Sequence, residues 1–225
     1  MANDVSMEKV KELRQRTGAG IMDCKVALQE SASDMEKAVE YIQKKGLAKA
    51  AKKAGAIAAE GSVHAYVHAG SRLGVLVEVN CQTDFVARSD DFKAYLDQVG
   101  LQIASMNPLF VRREDVPAGQ LEKQREIFQG QMDEEIKQGA KAKPEAVAAK
   151  ILDGKLDKWL SESCLVEQVS VVDGEKTIQQ LADTLTAKLG EKIAVRRFVR
   201  YELGEGIEKQ KSDLAADVAA AISGS

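Results

Sequence analysis

The sequence predicts a helix-rich α+β protein: helical modules gathered around one small antiparallel sheet. Three observations carry this. Aromatic residues make up only 4% of the chain while Ala, Lys, Glu and Gln are abundant, a balance that favours helix. Apolar residues recur at helical spacing over most of the length, and the period changes to two only around 61–79 and 193–203. With 225 residues, 44% hydrophobic and 30% charged, the chain can build one ordinary core or a core with small satellite modules.

The first stretch reads as three short helices. Ser6 caps one that carries Val10 and Leu13, Thr17-Gly18-Ala19-Gly20 turns, and Ile21-Met22 open the second. The third runs from Asp34 to Lys45, with a Ser33/Glu36 capping box, an apolar line Met35-Val39-Ile42 and a stop at Gly46. A bundle this small has barely enough core to stand alone, so it leans on a partner. From Leu47 to Glu60 the chain is Ala-rich, and Lys44, Lys45, Lys49, Lys52 and Lys53 give it the look of a basic helical linker. The first unit is therefore drawn as 1–54.

The core unit is drawn as 55–204. Val63, Ala65 and Val67 alternate with His64, Tyr66 and His68, Gly70-Ser71 turns, and Leu73, Val75, Val77 and Val79 return, giving a β-hairpin. After Asn80 a loop starts a helix with Phe92, Tyr95, Leu96, Val99 and Ile103 on one face, ending before Pro108. From about 115 to 163 two charged, weakly amphipathic helices flank a turn at Lys143-Pro144, with apolar positions Leu121, Phe128, Met132, Val147, Ile151 and Trp159; they form an antiparallel arm. Leu165 to Val172 is read as extended. A helix follows, opened by a Thr177/Gln180 capping box and stopped at Gly190. Ile193 to Leu203 is a third strand, with Ile193, Val195, Val199 and Tyr201 on one side and Arg196, Phe198 and Arg200 on the other. The tail, 205–225, places Leu214, Val218 and Ile222 on a narrow helical stripe with nothing left in the chain to cover it.

Composition excludes several function classes. A formal charge of −3 supplies no global field toward nucleic acid or anionic lipid. No stretch approaches the roughly 20 apolar residues of a membrane span, and Met1 to Ser6 lacks a basic start followed by an apolar run. The chain is cytoplasmic in type, although a plastid or mitochondrial protein trimmed of its transit peptide would look the same. Cys24, Cys81 and Cys164 are odd in number and in no metal spacing, which fits a reducing compartment.

Nor does any candidate chemistry hold together. Gly18-Ala19-Gly20 opens a helix but lacks a preceding strand and a following Gly-Lys-Ser/Thr, so it reads as a turn and not a phosphate cradle. His64 and His68 stand about 13 Å apart along a strand and cannot chelate one ion. Cys81 has no base-and-orienter constellation, and Asp84 has no second carboxylate near it in sequence. The lysine cluster has no interleaved aromatics and reads as a solvated face. No metal, cofactor or catalytic residue is expected, and no direct nucleic-acid partner. What stands out is Phe85, in a strand-to-helix loop beside Thr83 and Asp84: pattern alone leaves it evenly balanced between packing under the following helix and exposure for binding.

The run Asn80-Cys81-Gln82-Thr83-Asp84-Phe85-Val86-Ala87 resembles a signature of the elongation factor Ts family, guanine-nucleotide exchange factors for elongation factor Tu. Leu13 to Lys25, with Thr17-Gly18-Ala19-Gly20-Ile21-Met22-Asp23-Cys24 at its heart, resembles the family's other signature, in a three-helix module similar to ubiquitin-associated domains. Ala50 to Gly55 and Glu205 to Lys209 match as well. The resemblance implies that Thr83, Asp84, Phe85 and Val86 form a loop that wedges against the partner's GTPase domain beside its magnesium site. It further implies partner contacts by Leu13, Ile21 and Met22, by the tail helix around Leu214 and Val218, and by His68, Leu189 and Gly190 of the core. Only one core unit is present where longer bacterial members have two similar halves. The chain thus resembles the family's short form, with monomer and homodimer both open. The rival readings are a binding adaptor that works through the three-helix module alone, and, with no support at catalytic spacing, a thiol enzyme using Cys81.

Overall fold

The computed structural model describes residues 5–141 and 143–207, so the tail positions Leu214 and Val218 lie outside the described residues. The architecture is mixed α+β, with eight α-helices and one three-stranded antiparallel sheet among the described residues.

Helices α1 (Met7–Thr17), α2 (Ile21–Glu30) and α3 (Met35–Lys53) enclose Val5, Val10, Leu13, Cys24, Ala27, Leu28 and Ala38. The third helix departs from expectation at both ends. Its cap is Asp34, which accepts from the Lys37 N–H at 3.1 Å, while Ser33 sits at φ +63° and caps nothing. At the other end α3 runs straight through Gly46 into the basic stretch that looked like a separate linker. Glycine costs about 1 kcal/mol inside a helix, but here a side chain would press on Ala187, whose Cβ lies 3.3 Å from where a Cβ of residue 46 would stand. Close approach to another helix, not termination, is what Gly46 supplies.

The sheet order is β1 (Glu60–Val67), β2 (Leu73–Cys81), β3 (Ala194–Glu202), with β2 central. Val75, Val77, Val79 and Cys81 line its inner face and pack on α5 (Asp90–Met106) through Phe92, Tyr95, Leu96, Val99 and Ile103. On β1 it is His64 and Tyr66 that turn toward this helix, whereas Val63 and Val67 face outward. The facing of β3 needs correction. Arg196 is an extra residue between the Glu78–Arg197 and Val79–Val195 pairs, so the alternation flips. Val195 is buried, but beyond the bulge Phe198 turns inward while Val199 and Tyr201 face out.

The arm is α6 (Ala118–Lys137) and α7 (Glu145–Ser163), zipped by Met132, Leu152 and Leu156 with Leu121, Phe128 and Ile151. Val147 is exposed, and Trp159 stacks edge-on against Phe110 instead of joining that zipper. Arg113, at the root of the arm, ties it to the core by ion pairs to Glu167 and Asp157. The segment expected to be extended, Leu165 to Val172, is not a strand. It forms a single 3-10 turn at Leu165–Glu167 and is then held by the fully buried Gln102, which donates to Gln168 Oε1 (3.1 Å) and Val169 O (3.2 Å) and accepts from Val171 N (2.8 Å). A side-chain amide thereby substitutes for a strand partner. Helix α8 (Ile178–Leu189) carries the expected Thr177/Gln180 capping box and ends on Gly190 at φ +77°. It closes the core over Tyr95, with the N-terminal helices packed on its other side through α3.

Candidate functional site: an exposed loop at the end of the central strand

Strand β2 ends at Cys81, and the chain turns through Gln82 and Thr83 into α4 (Asp84–Ala87). A four-residue helix cannot hold itself; its surroundings hold it. Ala87 is buried and Val86 half-buried against the core, so the inner side of the turn is anchored by apolar packing. Phe85 points the other way, with 82% of its surface exposed. The open question about this residue is thus decided by geometry: the following helix leaves it uncovered. Asp84 Oδ2 accepts from Arg88 at 2.8 Å, an exposed i,i+4 ion pair that spans the turn. The Ser89 hydroxyl donates to Val86 O at 2.7 Å and caps α5 through the Phe92 N–H at 3.3 Å, so loop and helix share one joint.

Thr83 begins α4 in extended backbone, but its hydroxyl does not cap the helix. It donates to Glu191 Oε1 at 2.7 Å, while Glu191 Oε2 accepts from the N–H groups of Gln82 (3.1 Å) and Thr83 (2.9 Å). Cys81, fully buried, donates its thiol to Thr83 O at 3.1 Å, and burial pushes that thiol's pKa up. A protonated, enclosed sulfur of this kind is a packing group and no nucleophile. Sequence reasoning missed Glu191, because nothing local marks a residue whose partners lie 108 and 109 positions away.

The N-terminal module offers a second apolar surface. Gly18, at φ +68°, ends α1 and its N–H donates to Arg14 O at 2.8 Å, which brings Ile21 and Met22 onto the first turn of α2. These two side chains are 47% and 69% exposed. Leu13 corrects the expectation placed on it: it has no exposed surface and lies in the module core, so it supports α2 from beneath and offers no contact of its own. Lys49 and Lys45 both pair with Asp23 and hold its carboxyl below the usual range, fastening α3 behind α2.

Of the remaining positions, Leu189 and Gly190 lie near the loop and His68 lies far from it. Leu189 is half-buried against the core and Gly190 is exposed, next to Glu191 and hence beside Thr83. His68 is exposed at the hairpin tip, its Nδ1 3.0 Å from the Tyr66 hydroxyl. That places it the length of β2, roughly 25 Å at about 3.3 Å per residue, from the Thr83 end. Among the described residues no group of three or more His, Cys, Asp or Glu could hold a metal ion, and no helix is long and apolar enough to cross a membrane.

An apolar side chain held outward on an anchored turn, with a second exposed apolar pair on a small helical module, is a surface suited to contact with another protein. The comparisons narrow this. The family model described as Elongation factor TS matches residues 3–205. The elongation factor Ts of Desulforamulus reducens is 53% identical over 219 residues, covering 97% of this chain and 98% of that protein. The elongation factor Ts of Carboxydothermus hydrogenoformans is 52% identical over 218 residues (97% and 98%), and that of Myxococcus xanthus 54% over 216 residues (96% of each). The chain belongs to the elongation factor Ts family and is a translation elongation factor.

Proposed function

We propose that this chain is a guanine-nucleotide exchange factor that binds elongation factor Tu in its GDP form and speeds GDP release, acting by binding and not as an enzyme. The observation that carries the proposal is the outward, uncovered Phe85 on a turn anchored at both ends. A rigidly presented phenyl ring next to a carboxylate can intrude beside a phosphate and magnesium site, where Asp84 and Thr83 would meet the loops that hold ion and phosphates. Val86 sets the ring's direction from below. Ile21 and Met22 would add an apolar foothold on the GTPase domain, with Leu189, Gly190 and His68 as further contacts on the core.

Reciprocal coupling makes this cyclic. A factor that weakens GDP binding is itself held less tightly when nucleotide is bound, so GTP displaces it in turn. Acting on a translation GTPase, the chain would work in the cytoplasm. The test is release of fluorescent GDP from elongation factor Tu: the wild-type chain should accelerate it in catalytic amounts, and an unchanged release rate would refute the proposal.

The outer face of the sheet favours a second copy of the chain as an additional partner. Val67 and Tyr201 flank Gly74 in one cross-strand row, and Ala65, Leu76 and Val199 form the next. All except Gly74 are exposed. The adjoining Glu78 pairs with both Arg196 and Arg197, an ion-paired cluster with one positive charge in excess that borders the apolar rows, so a symmetric seam would be centred on the apolar rows themselves. Sedimentation should give a dimer that Val199→Glu converts to monomer; a monomeric wild type would end this part of the proposal.

A further inference from the structure

We infer that Glu191 is the positioning residue of the Thr83–Val86 loop, and that with Lys192 it fastens this loop to the end of α3; the functional part of the inference rests on the exchange reading above. The need for such a residue follows from where the sheet stops. Asn80 pairs with Ala194 and Cys81 with Glu60, and beyond these rungs the N–H groups of Gln82 and Thr83 have no strand to donate to. Both donate instead to one carboxylate oxygen of Glu191, at 3.1 and 2.9 Å, and the Thr83 hydroxyl donates to the other at 2.7 Å. Hydrogen bonds to an ionised acceptor are about twice as strong as neutral ones, and three converge here on the two residues that precede Asp84 and Phe85.

Glu191 reaches this place because Gly190 adopts φ +77° at the end of α8 and turns the chain back toward the β2 terminus. Lys192 completes the clasp. Its N–H donates to Gln82 Oε1 at 3.1 Å, and its Nζ donates to Ala54 O at 2.5 Å and Ala56 O at 3.2 Å, where α3 ends. Two consecutive residues of the α8–β3 connection thus hold the loop bearing Phe85 with one hand and the exit of the N-terminal module with the other. The ring and the Ile21–Met22 surface are thereby carried on a shared support. Removing Glu191 should leave Val86 and Ala87 packed below while freeing the first half of the turn, so that Phe85 samples many directions instead of one.

The experiment uses the full chain with Glu191→Ala, Glu191→Gln and Phe85→Ala, read by amide hydrogen exchange and by GDP release from elongation factor Tu. In Glu191→Ala the amides of residues 82–88 should exchange at least about tenfold faster, the scale set by losing a charged hydrogen-bond acceptor, with the melting temperature moved by only a few degrees. The release rate at saturating factor should fall by about tenfold while the half-saturating concentration stays within about threefold, a split that reports lost positioning. Glu191→Gln should restore most of both, since its amide oxygen still accepts from the two N–H groups and its NH2 can donate to the Thr83 hydroxyl. In a Phe85→Ala background Glu191→Ala should cost nothing further, because the two act through one ring. Unchanged amide exchange at 82–88, or a loss that simply adds to that of Phe85→Ala, would overturn the inference. A wild-type chain that fails to speed release would instead remove the exchange reading, and the amide data alone would then judge the anchoring.

Discussion

Gly100 lies so close to Tyr66 that a Cβ built on it would stand 2.8 Å from the tyrosine's Cβ and 3.2 Å from its Cγ. This contact sets how closely α5 lies on β1, and with it where β2 delivers Thr83. Two effects compete when a methyl group is added. Helix propensity favours alanine over glycine by about 1 kcal/mol, whereas overpacking costs about 1–3 kcal/mol. The overlap is with atoms close to the backbone that cannot swing away, so overpacking should win. Gly100→Ala is expected to lower the denaturant midpoint; a rise would show that α5 has room to shift.

Leu13 and Met22 should separate cleanly although the same motif contains both. Leu13 is buried, so Leu13→Ala should cost about 2–5 kcal/mol of module stability and weaken partner binding only through unfolding. Met22 is exposed, and Met22→Ala should leave stability within about 0.5 kcal/mol while weakening the complex. Calorimetric binding beside thermal denaturation decides it, and a stability loss in Met22→Ala would contradict the surface role.

Glu78 gives the sheet an acid-sensitive clamp. Arg196 and Arg197 each donate to it at 2.7 Å, Arg196 making the larger contribution, and together they bring its pKa from 4.5 to about 2. Between those values the unfolded chain binds more protons than the folded one, so stability rises with pH there. The contribution is complete above 4.5 and is lost as pH falls through about 2. Urea midpoints should drop between pH 5 and pH 2.5 by more in the wild type than in Glu78→Gln; equal slopes would show that the clamp contributes nothing.

Much of this was readable from local pattern. The hairpin, the apolar face of α5, the two helices of the arm, and α8 with its Thr177/Gln180 box and Gly190 stop all follow from spacing and capping chemistry that neighbours in sequence supply. The departures share a cause, which is contact between residues far apart in the chain. Gly46 reads as a stop until Ala187 is seen against it, and Leu165 to Val172 reads as an extended stretch until Gln102 is seen to take its hydrogen bonds. Val199 keeps step with Val195 until the bulge at Arg196 moves it to the opposite face. At the loop, the motif singled out Thr83 to Val86 but left the direction of its side chains open. The direction of Phe85 depends on which neighbours become buried, and Glu191 on a fold that joins positions 83 and 191.

Phe85 is the residue on which the proposed exchange activity depends most. Stopped-flow release of fluorescent GDP from elongation factor Tu, at saturating concentrations of wild type and of Phe85→Ala, measures its role without depending on affinity. The ring is exposed and its removal should not disturb the fold. The expectation is therefore a folded variant that still binds through Ile21 and Met22, with which elongation factor Tu releases GDP at least about tenfold more slowly, a barrier higher by roughly 1.4 kcal/mol. A Phe85→Ala chain that binds elongation factor Tu and speeds its GDP release as much as wild type does would contradict it.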